Sequence, residues 1–199
     1  MPREIEFLYD FGSPNAYLVH RAIPAYAGRV AFRFVPVLLG GVFKATGNQS
    51  PMQAYGHVAA KRDYDMLEIR RFIARHGIAG FAMNPHFPVN TLLMMRGAVA
   101  AESLGCAEAY IEAMFAGMWE QGLKLDDPEV WAATVSAAGL DAAALGAAAS
   151  DPEIKGRLVA NTEAAVARGV FGIPSFFLGD ELWFGKDRLR DVVEAAEAG

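Results

Sequence analysis

The chain has 199 residues, 53% hydrophobic and 21% charged, with a formal net charge of −5 and one cysteine. That is ample apolar material for one compact domain carrying an insertion, and it makes two independent domains the less economical expectation. The acidic balance argues against a nucleic-acid or anionic-membrane surface while leaving room for a local basic pocket, and a lone Cys106 provides neither an internal disulfide nor a Cys-x-x-Cys pair for dithiol exchange.

Met1 to Asp10 contains Arg3, Glu4, Glu6 and Asp10, so it lacks the apolar stretch of a secretory leader. No run of about 18 apolar residues suggests a membrane span, and a cytoplasmic protein is expected. Glu4 to Asp10 sets Ile5, Phe7 and Tyr9 in alternation with Glu4, Glu6 and Leu8, the pattern of a strand with at least one buried face. The turn Asp10-Phe11-Gly12-Ser13-Pro14-Asn15-Ala16-Tyr17 follows. Ser13 is a good N-cap and Pro14 a good first helical residue, so a hydroxyl stands where free N–H groups and the positive end of a helix dipole converge. An anion such as a thiolate is favoured there, although a Ser-Pro pair also serves simply to start a helix.

The helix is expected to run to about Ala27, ended by Gly28, and Val30 to Val37 resumes a strand pattern. These forty residues read as β-α-β, with parallel strands and a right-handed crossover. A loop with Gly40, Gly41, Gly47, Asn48, Ser50 and Pro51 then leaves the sheet. From there to about Arg168 the pattern is helical, broken at Gly77 to Pro88, Asp126-Asp127-Pro128 and Asp151-Pro152. Each Asp-Pro pair reads as an N-cap followed by a first-turn proline. The alanines of Ala142 to Ala149 suit close helix packing, and Cys106 suits a partly buried packing position. No 20- to 50-residue repeat is present.

Near the other terminus, Gly169-Val170-Phe171-Gly172-Ile173-Pro174 precedes the apolar run Ser175 to Leu178. Proline is tolerated at the first residue of a strand, and the Ile173-Pro174 bond is open to the cis form. Gly179-Asp180-Glu181 between Ser175–Leu178 and Leu182–Phe184 signals a hairpin, and a final helix is expected from about Asp187.

Taken in order, Tyr9-Asp10-Phe11-Gly12-Ser13-Pro14 with Tyr17-Leu18, Leu39-Gly40-Gly41-Val42-Phe43-Lys44 with Gly47-Asn48, Phe87-Pro88-Val89-Asn90-Thr91, Gly169 to Pro174, and Phe184-Gly185-Lys186-Asp187-Arg188 resemble the kappa-class glutathione transferase and 2-hydroxychromene-2-carboxylate isomerase family. The resemblance covers nearly the whole chain. It implies an α/β protein with a thioredoxin-like fold and a large all-helical insertion, residues 1–40 and 169–199 forming the thioredoxin-like domain and 41–168 the insertion. Glutathione is then the implied cofactor, a small aromatic carboxylate the substrate, and a homodimer the assembly, with no metal, nucleic acid or membrane.

The resemblance makes Ser13 the catalytic residue, its hydroxyl donating to the cysteinyl sulfur and favouring the thiolate. Val170, Ile173 and Pro174 are implied at the cysteinyl backbone, which Ile173 pairs in the manner of an added strand. Gly185, Lys186, Asp187 and Arg188 are implied at the γ-glutamyl end. By itself Asp187 is as readily an N-cap of the last helix. Lys44, Asn48 and Lys61 are implied near glutathione or the acidic substrate, with Tyr55, His57, Asn84 and His86 as further candidates. Taken alone, such lysines are more often solvated, and the histidines lack metal-ligand spacing. Gly12 stands where the resemblance leads to a bulkier residue.

Two activities fit the family: isomerisation, with glutathione regenerated, and transfer, with glutathione left on an electrophile. The compact length and short Gly179-Asp180 hairpin resemble the bacterial isomerases more. A third, different class is a non-catalytic module holding an extended peptide in the groove, which predicts indifference to free glutathione.

Overall fold

The computed structural model describes residues 3–199. Met1 and Pro2, which begin the segment read for a leader, lie outside the described residues. Strands β1 (Glu4–Tyr9), β2 (Ala31–Pro36), β3 (Ser175–Leu178) and β4 (Glu181–Phe184) form one sheet in the order β2-β1-β3-β4. β1 runs parallel to β2 and antiparallel to β3, and β3 and β4 form the hairpin around Gly179-Asp180. Phe7, Leu8 and Tyr9 are all buried. Since successive side chains of a strand point to opposite faces, β1 is covered on both sides. Phe7 is flanked by Phe34 of β2 and Phe176 of β3, ring centroids 5.2 and 5.6 Å away.

The helices are α1 (Pro14–Ala22), α2 (Leu39–Thr46), α3 (Pro51–Tyr55), α4 (Ala59–His76), α5 (Leu92–Ser103), α6 (Ala107–Trp119), α7 (Pro128–Ala137), α8 (Ala142–Ser150), α9 (Pro152–Ala167) and α10 (Leu189–Ala198). α10 packs on β1 and β3, while α5 and α9 reach β2. Among the described residues, no helix is long and apolar enough to cross a membrane. Asp127 and Asp151 cap α7 and α9 as expected, accepting from Glu129 N at 2.9 Å and Glu153 N at 2.7 Å. Cys106 is half-buried just before α6, and the alanines of α8 let it pack closely on α5.

Three expectations need correction. α1 stops at Ala22 and a 3-10 turn, Ile23–Tyr26, replaces its last stretch; Pro24 lacks the N–H that a continuing helix requires. The glycine-rich segment after β2 is not all loop, because Leu39–Thr46 is helical. Its start is held by remote groups, Leu38 N donating to Thr162 Oγ1 at 3.0 Å and Leu39 N to Asp10 Oδ2 at 2.7 Å. A Cβ at Gly41 would lie 3.1 Å from the Thr162 methyl, so glycine lets α2 settle against α9. The last helix begins at Leu189, after a 3-10 turn over Lys186–Arg188.

α1 and α6 are joined by polar contacts. Arg21 donates to both oxygens of Glu112, at 2.7 and 2.9 Å, His20 Nε2 lies 3.0 Å from the same carboxylate, and Tyr17 donates to Glu120 at 2.9 Å. The hydrogen bonds from His20 and Arg21 hold Glu112 down to about 2, against an ordinary value of 4.5. A depressed carboxyl stabilises the fold above its unfolded value and loses that contribution as pH falls through the folded value. Glu112→Gln is therefore expected to lower the urea midpoint at pH 7, with the deficit shrinking as pH falls from 4.5 towards 2. The half-exposed pair is screened, so the effect is modest. A deficit constant across that range would exclude the linkage.

The Tyr9 hydroxyl is buried with no hydrogen-bond partner among the described residues. Desolvation pushes its phenol well above the ordinary range. Since an unpaired buried hydroxyl opposes folding, Tyr9→Phe is expected to leave stability unchanged or raise it by up to about 2 kcal/mol in urea titrations. A loss of about 1 kcal/mol or more would assign that hydroxyl a partner.

Candidate active site

The loop after β1 folds back on itself through Asp10. Asp10 Oδ1 accepts from Gly12 N at 2.8 Å, and Oδ2 accepts from Leu39 N at 2.7 Å and the Thr91 hydroxyl at 3.1 Å. The first bond is an Asx turn, local to the sequence; the others bring in α2 and the approach to α5. Burial pushes the Asp10 carboxyl up, and its three donors oppose that rise. Trp119 Nε1 donates to Phe11 O at 2.8 Å and fixes the next residue. A Cβ on Gly12 would lie 3.0 Å from the Thr91 methyl and 3.3 Å from Asp10 Oδ1. The space that a bulkier residue would need is filled by Thr91.

Ser13 therefore reaches the start of α1 in a fixed position. Its backbone is extended, its Oγ accepts from Ala16 N at 3.2 Å, and it is 4% exposed. The Ser13 hydroxyl donates to Ile173 O at 3.0 Å, bridging 160 positions of sequence. Asn15 N–H makes no hydrogen bond among the described residues. A hydroxyl, a free N–H and a helix N-terminus thus meet at one point, an arrangement that stabilises negative charge.

Ile173-Pro174 is a cis bond, as is Phe87-Pro88. Ile173 N–H is also unpartnered among the described residues, so this buried residue presents a donor and an acceptor in the manner of a sheet edge. Gly185 N donates to Pro174 O at 2.9 Å, bringing the Gly185–Arg188 turn alongside. Phe171 and Phe184, each 43% exposed, form a tilted pair 4.5 Å apart between these two loops. A Cβ at Gly172 would come within 2.9 Å of the Phe184 ring, so glycine allows the aromatic pair to close over the backbone.

The remaining expected site residues divide into those tied to this cluster and those that are not. Val170 contributes a buried side chain and gives its N–H to Ala165 O, which leaves only its carbonyl for a ligand. Lys186 is buried, its ammonium 2.6 Å from Asp187 Oδ1 and 5.2 Å from the centre of the Phe72 ring. Asp187 is thus an ion-pair partner, 54% exposed at its side chain, and no side chain caps α10. Arg188 turns away to Asp191 at 2.5 Å. Asn48 Nδ2 donates to Phe171 O at 2.8 Å and ties its loop to the cis-proline segment.

Lys61 pairs with Asp65 and sits 5.8 Å from the centre of the Tyr55 ring. Asn84 is buried, Nδ2 donating to Met118 O and Leu123 O at 3.0 and 2.9 Å and Oδ1 accepting from His86 N. It is a buried loop clamp with both amide protons given to backbone carbonyls. The imidazoles of His57 and His86 are exposed. Lys44 lines a cavity between α2, α5 and α9. None of Lys44, Tyr55, Lys61 and His86 is hydrogen-bonded to Ser13 or Ile173. Asp10 and the Phe171–Phe184 pair belong to the site but were not among the expected residues; the Asp-x-Gly turn signalled the first, and only the fold reveals the second.

The family model of the DSBA-like thioredoxin domain matches residues 4–197. The chain is 30% identical over 189 residues to 2-hydroxychromene-2-carboxylate isomerase of Pseudomonas putida, covering 93% of this chain and 90% of that one. It is 25% identical over 210 residues to human glutathione S-transferase kappa 1, covering 96% and 89%. A solved structure of 2-hydroxychromene-2-carboxylate isomerase superposes with a TM-score of 0.82 at 29% identity, over 96% of this chain and 93% of that one.

Proposed function

Because the chain belongs to the DSBA-like thioredoxin-domain family, and within it to that of the 2-hydroxychromene-2-carboxylate isomerases, we propose that it is a glutathione-dependent isomerase converting 2-hydroxychromene-2-carboxylate to trans-o-hydroxybenzylidenepyruvate. The observation that carries this reading is the Ser13 hydroxyl at 3.0 Å from Ile173 O. It joins a thiolate-stabilising helix start to a backbone edge able to hold a peptide. The residues present fit glutathione: Ile173 offers N–H and C=O to the cysteinyl peptide groups, and the Asp187 carboxylate with the backbone N–H groups of Lys186 and Asp187 offers complementary charge and donors to the γ-glutamyl end.

The chemistry that bound glutathione supplies is reversible thiolate addition, which permits ring opening and bond rotation before the thiol leaves. With glutathione held there, Ser13 would give the proton it now donates to Ile173 O to the sulfur, and Ile173 O would be left to accept a ligand N–H. A charge-assisted hydrogen bond of about 1.5–3 kcal/mol, at about 1.36 kcal/mol per pKa unit, brings a thiol of roughly 8.5 close to neutrality. Asn15 N–H and the dipole of α1 add to the same effect. Serine acts as a donor here, since among the described residues no general base is hydrogen-bonded to its Oγ.

In this reading Lys44, Asn48, Tyr55, Lys61 and His86 face the acidic substrate. Lys61 must exchange Asp65 for it, and Asn48 has its Oδ1 to offer while its Nδ2 holds Phe171. Residues 41–168 form the insertion. Homodimeric assembly and a cytoplasmic setting belong to the same reading, and sedimentation at micromolar concentration tests the first. The kappa relative favours a second reading, transfer of glutathione to another electrophile.

Ultraviolet absorbance tests the proposal by following 2-hydroxychromene-2-carboxylate with glutathione present and absent. Glutathione-dependent loss of substrate, with no loss of glutathione, is expected. Saturable glutathione binding without conversion would move the assignment to transfer, and absence of binding would move it to a peptide-holding module.

A further inference from the structure

The helical segment holds a second feature suited to a small molecule, one whose lining includes neither Ser13 nor Ile173. A cavity of about 500 Å³ lies between α2, α5 and α9, within the range of roughly 300–1,000 Å³ that organic ligands occupy. Leu38, Leu92, Leu158 and Val166 give it apolar walls. Each helix also contributes one cation, Lys44 from α2, Arg96 from α5 and Lys155 from α9, against the single carboxylate of Glu163.

Arg21, Arg29, Arg33, Arg157 and Arg168 all find carboxylates within 4.0 Å. Arg96 and Lys155 are half-buried yet make no ion pair or side-chain hydrogen bond among the described residues. Removing cationic groups from water without a partner is unfavourable, and a carboxylate relieves it most directly for a planar guanidinium. An inorganic anion would leave the four aliphatic walls wet, and a neutral hydrophobe would leave the cations unpaired. A ligand matching both has a carboxylate at one end and an apolar body at the other.

We propose that this cavity is a second ligand site, one that takes an aryl or alkyl carboxylate. Isothermal titration with 1-naphthoate tests it, with naphthalene-1-carboxamide as the uncharged counterpart. Lys44 is left intact, because it is also proposed to face the substrate. Saturable naphthoate binding is expected that persists in Ser13→Ala and in saturating glutathione, weakens about tenfold or more in Arg96→Gln/Lys155→Gln, and is about tenfold stronger than that of the carboxamide, ~1.4 kcal/mol. Hydrogen exchange on the unaltered chain gives a readout that needs no variant: naphthoate should slow amides of α2, α5 and α9. Binding that is lost in Ser13→Ala or displaced by glutathione, with the double variant unaffected, would overturn the proposal. So would the absence of saturable binding, or protection confined to residues 10–17 and 171–188.

Discussion

Ser13→Ala is expected to lower kcat/KM for the glutathione-dependent conversion by about 10²–10³-fold, the usual effect of removing one preorganised donor from developing negative charge. Bound glutathione should titrate about 1–2 pKa units higher in the variant, following the loss of a charge-assisted bond to sulfur. The same substitution removes the acceptor for Ala16 N, so stability falls by about 1 kcal/mol, as for other lost N-caps. That loss is too small to unfold an ordinary domain and cannot produce the kinetic defect. Thiolate absorbance against pH, measured beside the conversion rate, separates the two effects. A variant with an unaltered thiol pKa would remove Ser13 from the chemistry, whatever its rate.

Asp10→Ala carries the largest expected change in stability. The side chain is fully buried and satisfies Gly12 N, Leu39 N and the Thr91 hydroxyl. Alanine orphans all three donors, at about 1–3 kcal/mol for each that water cannot reach, so a net loss of about 3–4 kcal/mol is expected. Urea unfolding should show a lower midpoint with the same slope. Asp10→Asn should fall between, since one carbonyl oxygen survives while the new amide meets donors. A loss below about 1 kcal/mol for Asp10→Ala would mean that the turn holds without its carboxylate.

The parts of the fold that were legible in sequence are those written in local chemistry. Alternation in Glu4 to Asp10 and Val30 to Val37, the hairpin signal Gly179-Asp180-Glu181 and the caps Asp127 and Asp151 each act over a few residues, and each marks its element to within a residue or so, Glu181 joining the second hairpin strand. α2 was hidden because Gly40 and Gly41 disfavour a helix by intrinsic propensity. Its first N–H groups are answered by Thr162 and Asp10, which lie far away in sequence, and tertiary contact prevails.

The site shows the same division. Ser13 at the head of α1 was legible as a cap, but its bond to Ile173 spans 160 positions and exists only once β3 lies against β1. Lys61 could have been read more closely: Asp65 stands four residues on, the spacing of a helical ion pair. The buried Lys186 offered no such sign, because what encloses it includes Phe72 on α4.

The bond between Ser13 and Ile173 also bears on which thiols the protein will admit. Ile173 is buried, so a thiol that draws the serine proton towards its sulfur strands the carbonyl unless it brings an amide N–H of its own. Glutathione carries one beside its sulfur; 2-mercaptoethanol does not. At about 1–3 kcal/mol for a stranded group, the resting contact discriminates roughly five- to 150-fold against simple thiols before any other part of the tripeptide is recognised. If Ser13 serves glutathione as proposed, its contact with Ile173 O therefore also favours thiols that carry an amide N–H over small reductants that have the sulfur alone.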